Sequence, residues 1–537
     1  MNRISKIIEL IDKKQLKLRV NDDQLRISGK TNLLTQEDKE FIADCKPIII
    51  KALKKVELGD DTEYASISKA PSQEDYPVSA AQKRMWYVSQ NEEASIAYNT
   101  FAVQDLNFEL DLDAFEGALN ALIERHESLR TVFKLDEKGA LRQVILAADK
   151  SDFKLHYQDL STNENGKNVI HELISKDKEK PFDLEKGPVA RAILGKLGPA
   201  NYVFYFNLHH IVGDGVTMGI ITQEVLQVYE GLKLKTEVKL PKDRLQYKDF
   251  AHWQIQQIES GKYQKHEYFW RNKLQNYATQ INLTGIKERP KIKTFNGRSL
   301  GTFIDNDLAE QMEMLTQENR SSKFSGMLTV LFILINKLTK EDDLAIGSPV
   351  AGRNHEDIKQ VVGNFVNTVV HRNQIKKSDT FTTLLKRINF NVLDALEHQM
   401  YPFDKLVEEL SLKVDFSRNP VFDVMFSYHN YDRLQEQNQQ IITPEMSTEI
   451  VDNGALTPKL DVLFNCYEVG TGFYLDINYN TDIYEKSQIE LFLKQYKKVM
   501  KEVLETPEQL IDQISHQTKT AKSLKLKNLQ KLKMIKK

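Results

Sequence analysis

The sequence predicts a mixed α/β or α+β fold, preceded by a very small α-β-β-α-α unit. Two observations carry the prediction. From about Tyr76 to Ile514, β-branched and aromatic runs such as NYVFYFNL and GFYLDINYN alternate with helical stretches such as ITQEVLQVYEGL and SGMLTVLFILINKL. That texture fits neither a repeat array nor a helix bundle. Before about Glu57 the apolar period switches within a few residues from helical to alternating and back. At 537 residues, the chain has the length of about three to five domain-sized units.

The small unit can be justified element by element. Ile4, Ile7, Ile8 and Ile11 recur at helical spacing and predict an amphipathic helix over residues 3–14. Leu16, Leu18 and Val20 then alternate with Lys17 and Arg19, and Leu25 and Ile27 flank Arg26. With Asn21-Asp22-Asp23 between the two runs, this is a hairpin with one buried and one basic face. Thr35 followed by Gln36, Glu37 and Asp38 marks a helix N-terminus, and Pro47 suits the first turn of a last helix bearing Ile48, Ile49, Ala52 and Leu53. Residues 1–57 hold 13 Lys/Arg against 9 Asp/Glu, or +4, opposite in sign to the whole chain. A unit this small has little core, and such units often exist to bind something. Residues 58–75 are polar, acidic and poor in large aliphatics, and read as a linker. The last 20 residues carry eight Lys and no acid, so 515–537 is expected to be a solvated basic tail.

Composition narrows the function. The net charge is 74 − 76 = −2, which argues against a nucleic-acid binder working through a global basic field. Two distant cysteines, Cys45 and Cys466, exclude a disulfide framework and fit a cytoplasmic compartment. No run of about 18 apolar residues predicts a membrane span. The N-terminus has charges inside its apolar stretch and does not read as a signal peptide.

The chemistry is expected at residues 201–232. The aromatic strand NYVFYFNL ends at His209-His210-Ile211-Val212-Gly213-Asp214-Gly215, and an amphipathic helix bearing Ile220, Ile221, Val225, Leu226 and Tyr229 follows. A loop held between rigid elements is where reacting groups are placed. An imidazole there suits acyl transfer, by accepting a proton from an attacking amine or hydroxyl or by steering that nucleophile. Gly215 at the helix entrance offers a backbone N–H to a developing oxyanion, and Asp214 suits a structural charge better than a second base. Metal ligation by both histidines is disfavoured because neighbours at a strand end point to opposite sides. A pair of satisfied core histidines is the plainer alternative, and the Asp-Gly at this spacing counts against it. No G-x-S-x-G elbow, P-loop or strand–GxGxxG–helix fingerprint is present.

HHIVGDG resembles the HHxxxDG signature of nonribosomal peptide synthetase condensation domains. Further stretches resemble that family's motifs in family order over roughly residues 76–430: Ser79 to Trp86, Arg125 to Phe133, Tyr247 to Trp253, Val362 to Thr368, His398 to Asp404 (with Asp404 where the family has Glu) and Phe416 to Phe426. The resemblance implies an α+β fold of two chloramphenicol acetyltransferase-like subdomains in a V-shaped pseudo-dimer, here 76–250 and 251–514. It implies that His210 is catalytic, as base or positioning group, that His209 and Asp214 are structural, and that Gly215 allows close backbone approach. Arg353, in Ser348-Pro349-Val350-Ala351-Gly352-Arg353, is the implied salt-bridge partner of Asp214. Trp86, Phe133, Trp253 and Phe403 read as core aromatics. Arg84 and Asn367 suit either structure or substrate.

Residues 1–57 resemble the N-terminal docking domains of the tubulysin-synthetase type. That resemblance implies β-augmentation by the C-terminal tail of an upstream synthetase protein, with Lys17, Arg19 and Arg26 meeting acidic residues of that tail. Those cations equally suit a solvated edge-guarding face. No adenylation domain or GGxS carrier motif follows. If the chain is the whole natural protein, the donor must arrive on another protein's carrier, and the chain most resembles the stand-alone terminal domains of rhabdopeptide-type synthetases. The implied reaction is attack of a free amine on a peptidyl thioester carried on a partner's phosphopantetheine, by a monomer with no cofactor or metal of its own. Elongation between two carrier-bound residues, ester formation with an alcohol, and a non-catalytic recruitment platform for carriers or tailoring enzymes are the alternatives.

Overall fold

The alternating runs near the N-terminus pair antiparallel in the computed structural model. Strand β1 (Leu16–Asn21) lies against β2 (Gln24–Gly29), with Leu18 opposite Ile27 and Arg19 opposite Arg26. Thr35 then starts a helix through a reciprocal cap. Its N–H donates to Asp38 Oδ2 at 2.9 Å, and the Asp38 N–H donates to Thr35 Oγ1 at 3.1 Å. Residues 41–46 are helical, with Ile42 and Cys45 buried. The structure describes residues 66–514, apart from 239, 242–243, 278–280, 282, 284–286, 413–414 and 431–449, together with 14, 16–21, 24–29, 34–36, 38–39 and 41–46. All but Lys14 of the helix expected over 3–14, the helix expected from Pro47, the first part of the expected linker, the basic tail, and the side chains of Lys17, Arg19 and Arg26 lie outside the described residues. Met1–Ile67 forms one unit and Ser68–Lys537 a second.

In the second unit the first half runs β3 (Tyr76–Pro77), α1 (Ala80–Val88), α2 (Glu92–Ala97), β4 (Asn99–Leu106), α3 (Leu112–Arg125), β5 (Thr131–Leu135), β6 (Leu141–Ile145), β7 (Leu155–Asp159), α4 (Gly166–Lys178), β8 (Ala190–Gly198), β9 (Asn201–His209) and α5 (Gly215–Leu234). Strand β9 is nearly all apolar, so it needs cover on both faces. It runs second in a sheet of order β4-β9-β8-β7, antiparallel to β4 and β8. Helices α3 and α5 cover one side: Phe115 meets Phe204 edge-on at 5.0 Å and Tyr229 at 5.9 Å between centroids. Filling that contact contributes several kcal/mol, because truncating a buried Phe costs about 3–5 kcal/mol. A smaller sheet, β3-β6-β5, stands apart.

Two helices follow, α6 (Tyr247–Glu259) and α7 (Gln264–Leu274). The expected division at 250/251 falls inside α6, which continues unbroken because Tyr247, Phe250 and Ala251 share one buried face. The end of the expected linker is also ordered. The Ala70 N–H donates to Asp249 Oδ1 at 2.8 Å, and Asp75 pairs with Arg142 at 2.7 Å. Its acidic, polar composition marks surface packing here, not a free tether.

The second half runs β10 (Gly297–Ile304), α8 (Asn306–Glu318), α9 (Lys323–Thr339), β11 (Asp343–Val350), β12 (Asn367–Gln374), α10 (Phe381–Glu397), α11 (Phe403–Glu409), β13 (Val424–Asn430), β14 (Val451–Leu456), β15 (Val462–Val469), β16 (Gly472–Asn480) and α12 (Lys486–Glu505). Its sheet has the order β12-β11-β13-β15-β16-β10-β14. Helix α9 is apolar on every side, and Val330 to Ile335 are all buried, as such a helix requires. It packs against α10 and α12, and Tyr496 Oη donates to the Met327 carbonyl at 2.8 Å. No helix among the described residues is long and apolar enough to cross a membrane.

Candidate active site

The loop 209–215 is built by the strand that precedes it and the helix that follows. His209 ends β9 with its side chain fully buried. Its Nδ1 accepts the Ile211 N–H at 3.2 Å, and its Nε2 lies 3.1 Å from Ser89 Oγ. An imidazole that accepts at Nδ1 carries its proton on Nε2 and is neutral. Burial, helped by the nearby Lys459 and Arg191 cations, brings its pKa down to about 3.

His210 is half-buried and turned differently. Its backbone N–H donates to the Tyr98 carbonyl at 2.8 Å, and its ring meets the Tyr98 ring edge-on at 6.3 Å. Nδ1 is sealed from solvent without a hydrogen-bond partner, and among the described residues nothing is bonded to Nε2. Burial holds the ring well below the usual histidine range, with Lys459, His209 and Arg84 acting in the same sense and its own carbonyl opposing. A neutral imidazole with one open nitrogen is chemically able to accept a proton or a hydrogen bond from a nucleophile.

Asp214 caps α5 and is completely buried. Its Oδ1 accepts the Thr217 N–H at 2.8 Å and its Oδ2 the Phe365 N–H at 3.0 Å. Arg353 Nη2 reaches both oxygens, at 3.0 and 3.2 Å. The same guanidinium donates through Nη1 to the carbonyls of Ile358 and Val361 at 2.9 and 2.6 Å, and stands 4.1 Å over the Phe365 ring. Thr217 Oγ1 donates to the Gly363 carbonyl at 2.9 Å and accepts the Gly363 N–H at 3.0 Å. The two halves are therefore sewn together four residues from His210. Gly352, at φ +65°, makes this possible, since a Cβ there would fall 1.8 Å from the Phe365 carbonyl oxygen. Gly215 opens α5 beside clear space, with nothing within 4 Å of where its Cβ would stand.

Other residues singled out from the sequence take clear places. Trp86, Phe133 and Phe403 are buried, and Trp253 is half-buried. Asn367 spends its amide on structure: it donates to the carbonyls of Gln399 and Tyr401 and accepts the Phe403 N–H. Arg84 pairs with Asp404 at 2.8 Å, so the shorter acid that replaces Glu still reaches it. Sequence reasoning missed Tyr98, Thr217 and Lys459. Thr217 is the third residue of α5, the one whose N–H the capping Asp214 accepts, and that spacing was legible. Tyr98 and Lys459 carry no local pattern.

The condensation-domain family model matches residues 72–524. The chain belongs to the condensation-domain family. Condensation domains catalyse amide-bond formation, an acyltransferase-type reaction, on substrates carried by phosphopantetheine. This condensation domain is 33% identical over 468 residues to surfactin synthase subunit 1 of Bacillus subtilis (strain 168), covering 87% of the chain and 12% of that protein. It is 32% identical over 481 residues to tyrocidine synthase 3 of Brevibacillus parabrevis, covering 90% of the chain and 7% of that protein. The chain thus spans a small fraction of these relatives. Among solved structures, the X-domain from teicoplanin biosynthesis superposes with a TM-score of 0.73 at 21% identity, over 84% of this chain and 100% of that one. A four-domain nonribosomal peptide synthetase does so at 0.71 and 22%, over 85% and 35%. These likenesses show the α+β chloramphenicol acetyltransferase-like fold expected from the sequence.

The lowered pKa of His210 has a measurable consequence. An exposed imidazole would protonate as pH falls through about 6.5, and a step that needs its free nitrogen would slow there. With its pKa held well below that value, the histidine stays neutral, so condensation that uses its free nitrogen should show no histidine acid limb between pH 6 and 7. A limb centred near pH 6.5 in the kcat profile would contradict the burial argument.

Proposed function

We propose that this condensation domain releases a peptide from a partner carrier protein as an amide with a free amine. The observation that carries the condensation step is the neutral His210, whose Nδ1 is sealed and whose loop is held by the buried Asp214–Arg353 pair. The amine nitrogen attacks the thioester carbonyl carbon, with Nε2 of His210 accepting its hydrogen. The C–N bond forms, the C–S bond breaks, and the nitrogen's proton ends on the phosphopantetheine sulfur. The thioester supplies the activation, so positioning and charge stabilisation carry the rate. His209 and Asp214 shape the loop, Arg353 ties it to the second half, and Gly215 leaves room for the substrate. The free-amine acceptor rests on the sequence's resemblance to terminal domains of rhabdopeptide-type synthetases. Elongation onto an aminoacyl carrier is the second reading.

Donor delivery is assigned to the N-terminal unit. Among the described residues its two strands pair only with each other, which suits β-augmentation by an upstream protein's acidic tail, and the charge of +4 over residues 1–57 favours such a partner. Lys17, Arg19 and Arg26 are the proposed contacts.

A mass-spectrometric release assay tests both parts. A carrier protein bearing a short peptidyl thioester is mixed with the full chain and a panel of primary amines. Amide product is expected, and removal of residues 1–57 should raise the donor concentration needed for half-maximal rate by about tenfold or more, the effect of losing about 1.4 kcal/mol of binding. Peptide transfer onto an aminoacyl carrier with no amine product would replace release by elongation. An unchanged donor requirement would remove the docking role.

A further inference from the structure

We infer that Lys459 is a catalytic residue of the condensation step, whose ammonium group stabilises the negative oxygen that forms on the donor carbonyl beside His210. The inference rests on the condensation step proposed above and not on which acceptor the enzyme uses.

The placement of Lys459 carries the argument. It lies in the segment between β14 and β15, in the second half, yet its Nζ stands 5.1 Å from the centroid of the Tyr98 ring in the first half. The edge of that same ring meets His210. One tyrosine therefore brings together the histidine with the open nitrogen and an ammonium group from the opposite half. The backbone behind the lysine is fixed: Lys293 Nζ donates to the Lys459 carbonyl at 2.5 Å and to Asn419 Oδ1 at 2.8 Å, and Pro458 is buried against Gly297.

The ammonium is half-buried, and no carboxylate among the described residues is paired with it. Among the described residues, the nearby acids are already engaged: Asp404 with Arg84, Asp461 with Arg289, Asp423 with Arg418 and Asp214 with Arg353. A cation taken partly from water without a counter-ion costs free energy in the resting protein. That cost is recovered when an anion appears next to it, which is the arrangement that accelerates a reaction. Condensation creates such an anion. As the C–N bond forms, the carbonyl π pair moves onto oxygen. It returns when the C–S bond breaks, and the nitrogen's proton passes to sulfur.

Burial, reinforced by Arg84, also brings the Lys459 ammonium down to about 8. Among the described residues, the charged and titratable groups that face it are Arg84, Tyr98, His209 and His210 from the first half, with Lys293 from the second holding its backbone carbonyl. Because a lysine is active when charged, this predicts a fall in kcat as pH rises through about 8.

The test measures kcat and KM of the full chain with a peptidyl carrier as donor. The acceptor is whichever of the primary-amine panel or an aminoacyl carrier supports turnover. Lys459→Met should lower kcat about 100-fold or more while leaving the donor KM nearly unchanged, the pattern of a contact made only in the transition state. Lys459→Arg should recover a large part of the rate and move the alkaline limb above pH 9. Melting curves of both variants are read alongside, and a Lys459→Gln variant replaces Lys459→Met if the latter does not fold. Wild-type kcat in Lys459→Met would overturn the inference. So would an effect confined to KM and seen only with carboxylate-bearing substrates, which would make the lysine a substrate-binding residue. A wild-type enzyme that turns over with neither acceptor would overturn the condensation reading itself.

Discussion

Replacing His210 with alanine is expected to lower amide formation by about 10²- to 10⁴-fold, the usual contribution of a positioned acid–base group, with little change in melting temperature. The stability part follows from what the ring does not do. Its Nδ1 is sealed and unpartnered, and no described residue is bonded to Nε2. Removing it breaks no side-chain hydrogen bond, while its backbone N–H keeps the Tyr98 carbonyl. The kinetic part follows from its being the open, neutral nitrogen on the 209–215 loop, since His209 has committed both of its own to Ile211 and Ser89. His209→Ala should show the reverse balance, losing stability more than chemistry. Single-turnover release rates and thermal melts of the two variants, measured side by side, decide the assignment. Equal rates for wild type and His210→Ala would end it.

Arg353→Ala is expected to destabilise the second unit by about 3–5 kcal/mol, the cost of leaving one partner of a buried ion pair alone. Asp214 would keep its two backbone N–H donors from Thr217 and Phe365, which places the effect toward the lower end. The carbonyls of Ile358 and Val361 would lose their donor as well. Arg353→Lys should rescue only part, because a point ammonium cannot serve Asp214 and those two carbonyls from one planar fork. Denaturant unfolding followed by intrinsic fluorescence reads the loss. A midpoint shift under about 0.5 kcal/mol equivalent, the scale of an ordinary surface substitution, would show that the pair is not a structural tie.

The loop was legible because its signals are local. An aromatic strand, a His-His end and a capping Asp at the start of an amphipathic helix all lie within about thirty residues, and the cap is a pattern of fixed spacing. The hairpin was legible for the same reason, since two alternating runs separated by three polar residues admit one pairing. Arg353 came from the family's motif and not from spacing. Its contact with Asp214 spans 139 positions, and only folding shows that its other donors hold the 358–361 turn. Lys459 was invisible because a lysine before a strand is an ordinary surface residue until the opposite half closes over it. The end of the expected linker makes contacts that composition does not announce, and the division at 250/251, taken from the resemblance, lies within α6. Acidic, polar residues mark the surface of a folded body as readily as a tether, and α6 reads the same on either side of a boundary.

The knot of Asp214, Thr217, Arg353 and Gly363 also says where the second unit can move. Any opening of the two halves has to turn about a fulcrum only four residues along the chain from His210. Displacement grows with distance from a pivot. The outer rims of the halves would then part widely to admit a bulky carrier arm, while the histidine and the ring of Tyr98 keep nearly constant spacing. Cargo of different sizes would meet the same reacting geometry.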